Sequence, residues 1–303
     1  MKAPKNIGVS VRDRLTQHAR ERRENAQLLM TRYAIERVLY RLSISPYRDH
    51  FVLKGAMLFS LWAPVPYRAT GDLDLLGFGE NAPVAIAAVF AEILATKVED
   101  DGVIFRPDTL RAAPAREQDE YAGVRLDFVA EPAGARLAML VDIGYGDAIT
   151  PGPVDMEYPS LLGQPAPHLK AYPPETVVAE KFQAMVALDM LNSRMKDFFD
   201  LWAVAGAFAF EGEVLARAIQ TTFERRETRL PTETPLAPTA GFADAKQVQW
   251  AAFLKRTEIA LVPQPLPEIQ ARIAELVMPP TIAATKSMPF NAQWVGGGPW
   301  IGA

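Results

Sequence analysis

Cysteine is absent from this chain, and histidine occurs only at His18, His50 and His168. The missing cysteine excludes disulfides, thiolate zinc sites and cysteine nucleophiles, and it fits a reducing cytosol. The three histidines are far apart and read as surface or packing residues rather than as a ligand set. No apolar run approaches the roughly 20 residues of a membrane helix, and the start lacks the apolar core of a signal peptide. The expectation is a cytoplasmic protein with no membrane partner. A large excess of one charge is also missing, since 32 Lys and Arg stand against 36 Asp and Glu. The net charge of −4 nevertheless conceals an asymmetry. Residues 1–50 hold eleven basic and five acidic residues, a local +6 on a body of −10. Such an arm suits contact with nucleic acid or with an acidic protein. Because Asp13, Glu21, Glu24 and Glu36 are interleaved among the arginines, a solvated helix face is the alternative.

At 303 residues, 49% hydrophobic and 22% charged, the chain can build two packed units with substantial cores. Residues 1–9 read as a loose start, with Ser10 capping a helix through about Arg23. Leu28, Leu29, Tyr33, Ile35, Val38, Leu39 and Leu42 recur at helical spacing over residues 25–43, and Ser45-Pro46 ends that stripe. Phe51–Leu53 fits a short strand or a helix entry, and residues 55–62 fit a helix ended by Pro64 and Pro66. An alanine-rich helix spans residues 82–96, and Glu99-Asp100-Asp101-Gly102 reads as a solvated turn. Strands are expected at Val103–Arg106, Gly123–Val129 and Arg136–Ile143, the last two joined by a hairpin over residues 131–134. Seven prolines within residues 150–174 argue for an extended connector. Helices follow from Pro174-Glu175 to about Leu191 and from about Arg194. Residues 203–229, 243–256 and 267–277 are expected as packing helices, with the tail flexible or docked by Trp294 and Trp300. The terminal Gly296-Gly297-Gly298-Pro299 is no phosphate loop, because no strand precedes it and no helix follows.

The densest chemistry lies between residues 54 and 76. In Asp72-Leu73-Asp74-Leu75-Leu76 a strand would put both carboxylates on one face and the leucines on the other. Aspartate is depleted in strands, and two close carboxylates raise each other's pKa unless a positive charge intervenes. A hard cation with oxygen ligands, Mg²⁺ above all, answers both points. Taken alone, such a pair also fits a solvated strand end. Gly55-Ala56 just upstream lets backbone approach a bulky anion. Asp142 closes a run that otherwise reads as buried strand, and a carboxylate there needs solvent, a partner or a metal. Lys181 falls inside the apolar stripe of Val177 and Met185, an unusual place for a surface lysine. Asp197 and Asp200 are three apart on one helix and share a face, where salt bridges with Arg194, Lys196 or Lys181 would suffice to explain them.

Lys54-Gly55-Ala56, Arg68-x-Thr70-x-Asp72-Leu73-Asp74, Asp142-Ile143, Glu180-Lys181 and Lys196-Asp197-x-x-Asp200-Leu201 together resemble the AbiEii/AbiGii toxin family. Its members have the nucleotidyltransferase fold and are related to the MenT toxins. The resemblance runs in order from about Asp49 to Trp202. It implies an α/β, nucleotidyltransferase-like mixed-sheet core over residues 49–165. N-terminal basic helices (1–48) would precede it, and a helical lobe (166–280) and a tail (281–303) would follow. It also implies that Asp72, Asp74 and a third carboxylate on a neighbouring strand hold two Mg²⁺ ions. Asp142 is the choice for the third, with Asp127 as competitor. Gly55, Ala56, Arg68, Thr70, Lys181, Lys196 and Asp200 would bind or brace the nucleotide, with Lys181 on its phosphates and Asp197 orienting that lysine, in a cleft between lobes. Ala56 departs from the Ser or second Gly of the wider fold and removes any hydroxyl contact to phosphate.

The implied activity is a toxin of a toxin–antitoxin or phage-defence pair that transfers nucleotides from an NTP to RNA, a tRNA acceptor end above all. A cognate antitoxin protein would restrain it. Nucleotidylation of a small molecule or protein, or nucleotide binding without transfer, are the alternatives.

Overall fold

The computed structural model describes residues 7–62, 68, 70–115, 123–132, 134–235, 239–257 and 264–302. The chain divides into two compact units: Met1–Gly146 with Val154–Ala171, and Asp147–Pro153 with Tyr172–Ala303.

The first unit is built on a seven-stranded mixed sheet. Its strands are β1 (Phe51–Lys54), β2 (Asp72–Gly77), β3 (Val103–Pro114), β4 (Val124–Pro132), β5 (Leu137–Tyr145), β6 (Val154–Glu157) and β7 (His168–Ala171). They lie in the order β3-β4-β5-β2-β1-β7-β6. The β2–β5 and β1–β7 pairs are parallel and the others antiparallel. Alternation assigns the faces: Val124, Leu126, Phe128 and Ala130 of β4, and Leu137, Met139, Val141 and Ile143 of β5, are buried on one side. Helices α1 (Ile7–Arg22), α2 (Ala26–Ser43) and α4 (Pro83–Ala95) belong to this unit, as does the short α3 (Leu58–Trp62). α2 and α4 pack on the sheet.

α2 starts where Asn25 Oδ1 accepts from the Leu28 N–H at 3.1 Å, a side-chain cap on an otherwise orphan donor. Its Arg41 donates to both oxygens of Asp101, at 2.7 and 3.2 Å. Asp101 is therefore buried, not part of a solvated turn, and its backbone carbonyl also accepts from the Tyr33 hydroxyl at 2.7 Å. Losing one partner of such a pair costs about 3–5 kcal/mol, which ties α2 to the entry of β3.

Several local expectations are corrected. α1 begins at Ile7, so Ser10 lies inside the helix and caps nothing. β3 is 12 residues long: beyond a register shift between Arg106 and Arg111 it extends to pair Arg111–Pro114 with Asp127–Val124 of β4, and β4 itself runs past the predicted turn to Pro132. The proline-rich stretch is no connector. Its prolines fall outside β6 and β7, where no ladder N–H is needed, and both strands join the sheet. Pro64 and Pro66 lie outside the described residues.

The second unit holds α5 (Pro174–Leu188), α6 (Met195–Ala207), α7 (Gly212–Arg225), α8 (Ala240–Arg256) and α9 (Leu266–Thr285). It also holds a small sheet of β8 (Phe210–Glu211), β9 (Gln293–Trp294) and β10 (Trp300–Ile301). The expected helix over residues 203–229 is thus interrupted by β8. α9 runs on through Pro279 and Pro280, which remove the two N–H groups that would bond the carbonyls of Glu275 and Leu276. Trp300 Nε1 donates to both carbonyls at 3.1 Å and replaces them. The buried Trp294 donates to the Ala205 carbonyl at 2.8 Å. The tail is docked by these two indoles.

Candidate functional site

β2 puts Asp72 and Asp74 on the face opposite its buried leucines: Asp72 is exposed, Asp74 half-buried, and Leu73 and Leu75 buried. Parallel pairing aligns Asp74 with Asp142 of β5, and Asp72 with Leu140. On the other side of β2, Lys54 of β1 is in register with Asp74. Beyond β5, Arg125 of β4 is in register with Asp142. One transverse row therefore reads Lys54, Asp74, Asp142, Arg125 across four adjacent strands, two cations enclosing two carboxylates. Asp127 occupies the same face but pairs with Leu140, so a strand separates it from β2 and Asp142 is the direct neighbour.

Gly55 shapes the end of this row. Its φ is +72°, and a Cβ built on it would overlap the Asp74 carboxylate, so the residue supplies both a left-handed turn and the space Asp74 fills. Ala56 follows in the same 3₁₀ turn and is buried. Arg68 is buried, with its guanidinium 5.8 Å from the Phe59 ring centre, and Thr70 is half-buried.

The residue that sequence reasoning missed is Arg125. Its Nε and Nη2 donate to the two oxygens of Asp142, each at 2.8 Å. Those hydrogen bonds and the Asp142 charge raise its pKa above the usual arginine value against the opposing effect of burial, and the fields of Asp72 and Asp74 add less than either. The alternation Arg125-Leu126-Asp127-Phe128 could have exposed it as a facing cation, but not which carboxylate it meets.

Three aspartates on one face are hard oxygen donors of the kind Mg²⁺ takes, and the Gly55 turn makes the space in which the Asp74 carboxylate sits. Against that, Asp142 is turned toward Arg125. Among the described residues no three His, Asp or Glu side chains are gathered closely enough to hold an ion. The strands bring the predicted carboxylates together, whereas their side chains are not drawn into a cradle. The donors fit the metal in type and in face, provided Arg125 gives way or shares Asp142.

The other predicted residues lie in the helical unit. Lys181 Nζ on α5 is 2.7 Å from Asp197 Oδ1 and 2.9 Å from Asp200 Oδ2, both on α6. The two aspartates are fully buried, and Arg194 Nε reaches Asp197 Oδ2 at 2.8 Å. Helical spacing thus gathers Lys181, Asp197 and Asp200 into one cluster, and the salt-bridge reading of the aspartates holds as geometry. Lys196 is exposed. A second network, unforeseen, centres on Arg226, which contacts Asp147 at 2.8 Å and Glu180 at 3.3 Å. Glu180 also accepts from the Tyr172 hydroxyl at 3.1 Å. Burial and the neighbouring carboxylates push that phenol far above its ordinary range. Asp147, in the loop after β5, is therefore anchored by Arg226. Nothing in the charged run Glu224-Arg225-Arg226-Glu227 distinguishes Arg226 from its neighbours.

Residues 37–275 match the model of a family described as nucleotidyl transferase AbiEii toxin, type IV TA system. Among solved structures the chain is similar to the crystal structure of JHP933 from Helicobacter pylori. The TM-score is 0.51 at 14% identity, covering 87% of this chain and 95% of that one. A candidate nucleotidyltransferase from H. pylori gives 0.47 at 13% identity, covering 88% of this chain and 100% of that one. The first likeness concerns the fold alone. No curated protein matches.

Proposed function

The chain belongs to the AbiEii nucleotidyltransferase toxin family of type IV toxin–antitoxin systems, and from that membership we propose that it transfers nucleotides from an NTP to RNA, at a tRNA acceptor end, with Mg²⁺. The observation that carries this reading is the in-register pair Asp74 and Asp142 on parallel strands, with Asp72 on the same face and Gly55 beside it. Asp72, Asp74 and Asp142 would hold the ions, two of them in the family's chemistry. When bound, these would neutralise the triphosphate and lower the pKa of the acceptor hydroxyl. The hydroxyl oxygen forms a bond to the α-phosphorus, and the bond from that phosphorus to the bridging oxygen breaks. Pyrophosphate leaves, and the hydroxyl proton passes to solvent.

The remaining residues position the reactants. In the sheet unit Gly55 and Ala56 would bring backbone toward phosphate; in the helical unit Asp197 and Asp200 orient Lys181 as a point charge of the kind phosphate takes. Arg68 and Thr70 brace the start of β2. Arg12, Arg14, Arg20, Arg22 and Arg23 are exposed on or just beyond α1, which supports a polyanionic acceptor. A cognate antitoxin is the partner that family membership implies.

Incubation with labelled NTPs, Mg²⁺ and total RNA tests the reading. Label is expected in small RNA, lost with Asp74→Asn and weakened in a salt-dependent way when the α1 arginines are reversed. Label appearing in protein or in a small molecule instead would move the acceptor to those classes. Nucleotide binding with no labelled product would leave a binding module.

A further inference from the structure

Arg125 has no place in the reading above, yet it makes two charge-assisted hydrogen bonds to the carboxylate that reading needs most. A guanidinium and a divalent cation both seek the lone pairs of Asp142. Asp142 in turn lies beside Asp74, with Lys54 in register on the far side. The row of two cations and two carboxylates is balanced as it stands. Asp72 on the same face adds one negative charge, so a single Mg²⁺ brings the group to a net positive charge unless an anion arrives. The side chain of Arg125 is 43% exposed, so it has solvent to move into, and the strand backbone need not shift.

Resting on the metal-dependent reading, we infer that Arg125 is a positioning residue that competes with the metal for Asp142: it holds the carboxylate in the metal-free protein and yields it on metal binding. Once yielded, the guanidinium stands on the same sheet face as the carboxylates, as a donor for the incoming nucleotide's phosphates. Metal and nucleotide binding are then coupled, because the triphosphate supplies both the anion that balances the added cation and a new partner for Arg125.

A supporting brace and a competitor give opposite signs in metal affinity. Mn²⁺ titrated into wild-type protein and followed by the loss of its free-ion electron paramagnetic resonance signal measures that affinity without turnover. Arg125→Gln is expected to bind Mn²⁺ about three- to tenfold more tightly, the range set by a partly exposed, bidentate ion pair. ATP should lose affinity for the Mn²⁺-loaded variant. Arg125→Lys, which keeps the charge without the fork, should fall between, and it carries the test if the glutamine variant melts early. Unchanged or weaker Mn²⁺ binding in the folded variants overturns the inference while leaving the metal site intact. Failure of the wild-type protein to bind Mn²⁺, or binding unaffected by Asp74→Asn, overturns the metal reading and this inference with it.

Discussion

Replacing Lys181 with methionine removes one positive charge and keeps an unbranched stem of similar length. In the helical unit that charge serves two aspartates whose side chains are 1% and 0% exposed, at 2.7 and 2.9 Å. Asp197 keeps Arg194 at 2.8 Å, but that arginine is 44% exposed and screened by solvent. Losing one partner of a buried ion pair costs about 3–5 kcal/mol, and here two close carboxylates lose their shared cation. For a unit of this size that corresponds to a fall in Tm of roughly 10–20 °C. A second substitution separates charge burial from lost packing. Asp200→Asn in the wild-type background should destabilise, because it leaves Lys181 with one partner. In the Lys181→Met background it should stabilise, because it removes a carboxylate that has lost its lysine. Thermal melts followed by circular dichroism on the four proteins provide the cycle. A Lys181→Met variant within about 0.5 kcal/mol of wild type, or an Asp200→Asn change that destabilises both backgrounds, would refute the reasoning.

Gly55→Ala should abolish transfer and cost at least the roughly 1–2 kcal/mol of a left-handed alanine, since its Cβ overlaps the Asp74 carboxylate; urea denaturation and the labelled-NTP assay read the two effects separately. Trp300→Phe leaves the Glu275 and Leu276 carbonyls without their indole donor and should lower stability by about 1–2 kcal/mol, measured as a shift in the denaturant midpoint. Burial pushes the Glu36 carboxyl above its ordinary range, against the opposing pull of Arg37, the Leu161 N–H and Ser160. A raised folded-state pKa gives stability that is complete below the unfolded value and lost as pH rises through the folded one. Urea midpoints should therefore fall over that window in wild type and stay level in Glu36→Gln.

The features legible in the sequence are those that depend on a residue's own strand or helix. The two-residue period of β2 is enough to put Asp72 and Asp74 on one face, and the 3.6-residue period of α5 is enough to pull Lys181 into its apolar stripe. The order of motifs from Asp49 to Trp202 carried the family and the mixed-sheet core. What escaped depends on register between distant segments. Asp101 read as a solvated acid because its partner Arg41 is 60 residues away. Residues 150–174 read as a connector because proline density says nothing about the short stretches between prolines, and two of those stretches are strands. The helix expected over residues 267–277 runs on through Pro279 and Pro280, since the donor that replaces their missing N–H groups comes from Trp300, distant in sequence.

Arg125 belongs to the same class, and it has the largest consequence for function. A strand's alternation says that Arg125 and Asp127 share a face, but only the antiparallel register of β4 on β5 sets Arg125 against Asp142 and Asp127 against Leu140. A one-residue slip in that register would turn Arg125 to the buried face and leave Asp142 facing Val124 or Leu126. The carboxylates proposed for a metal can thus be chosen from local pattern, whereas the cation paired with one of them cannot.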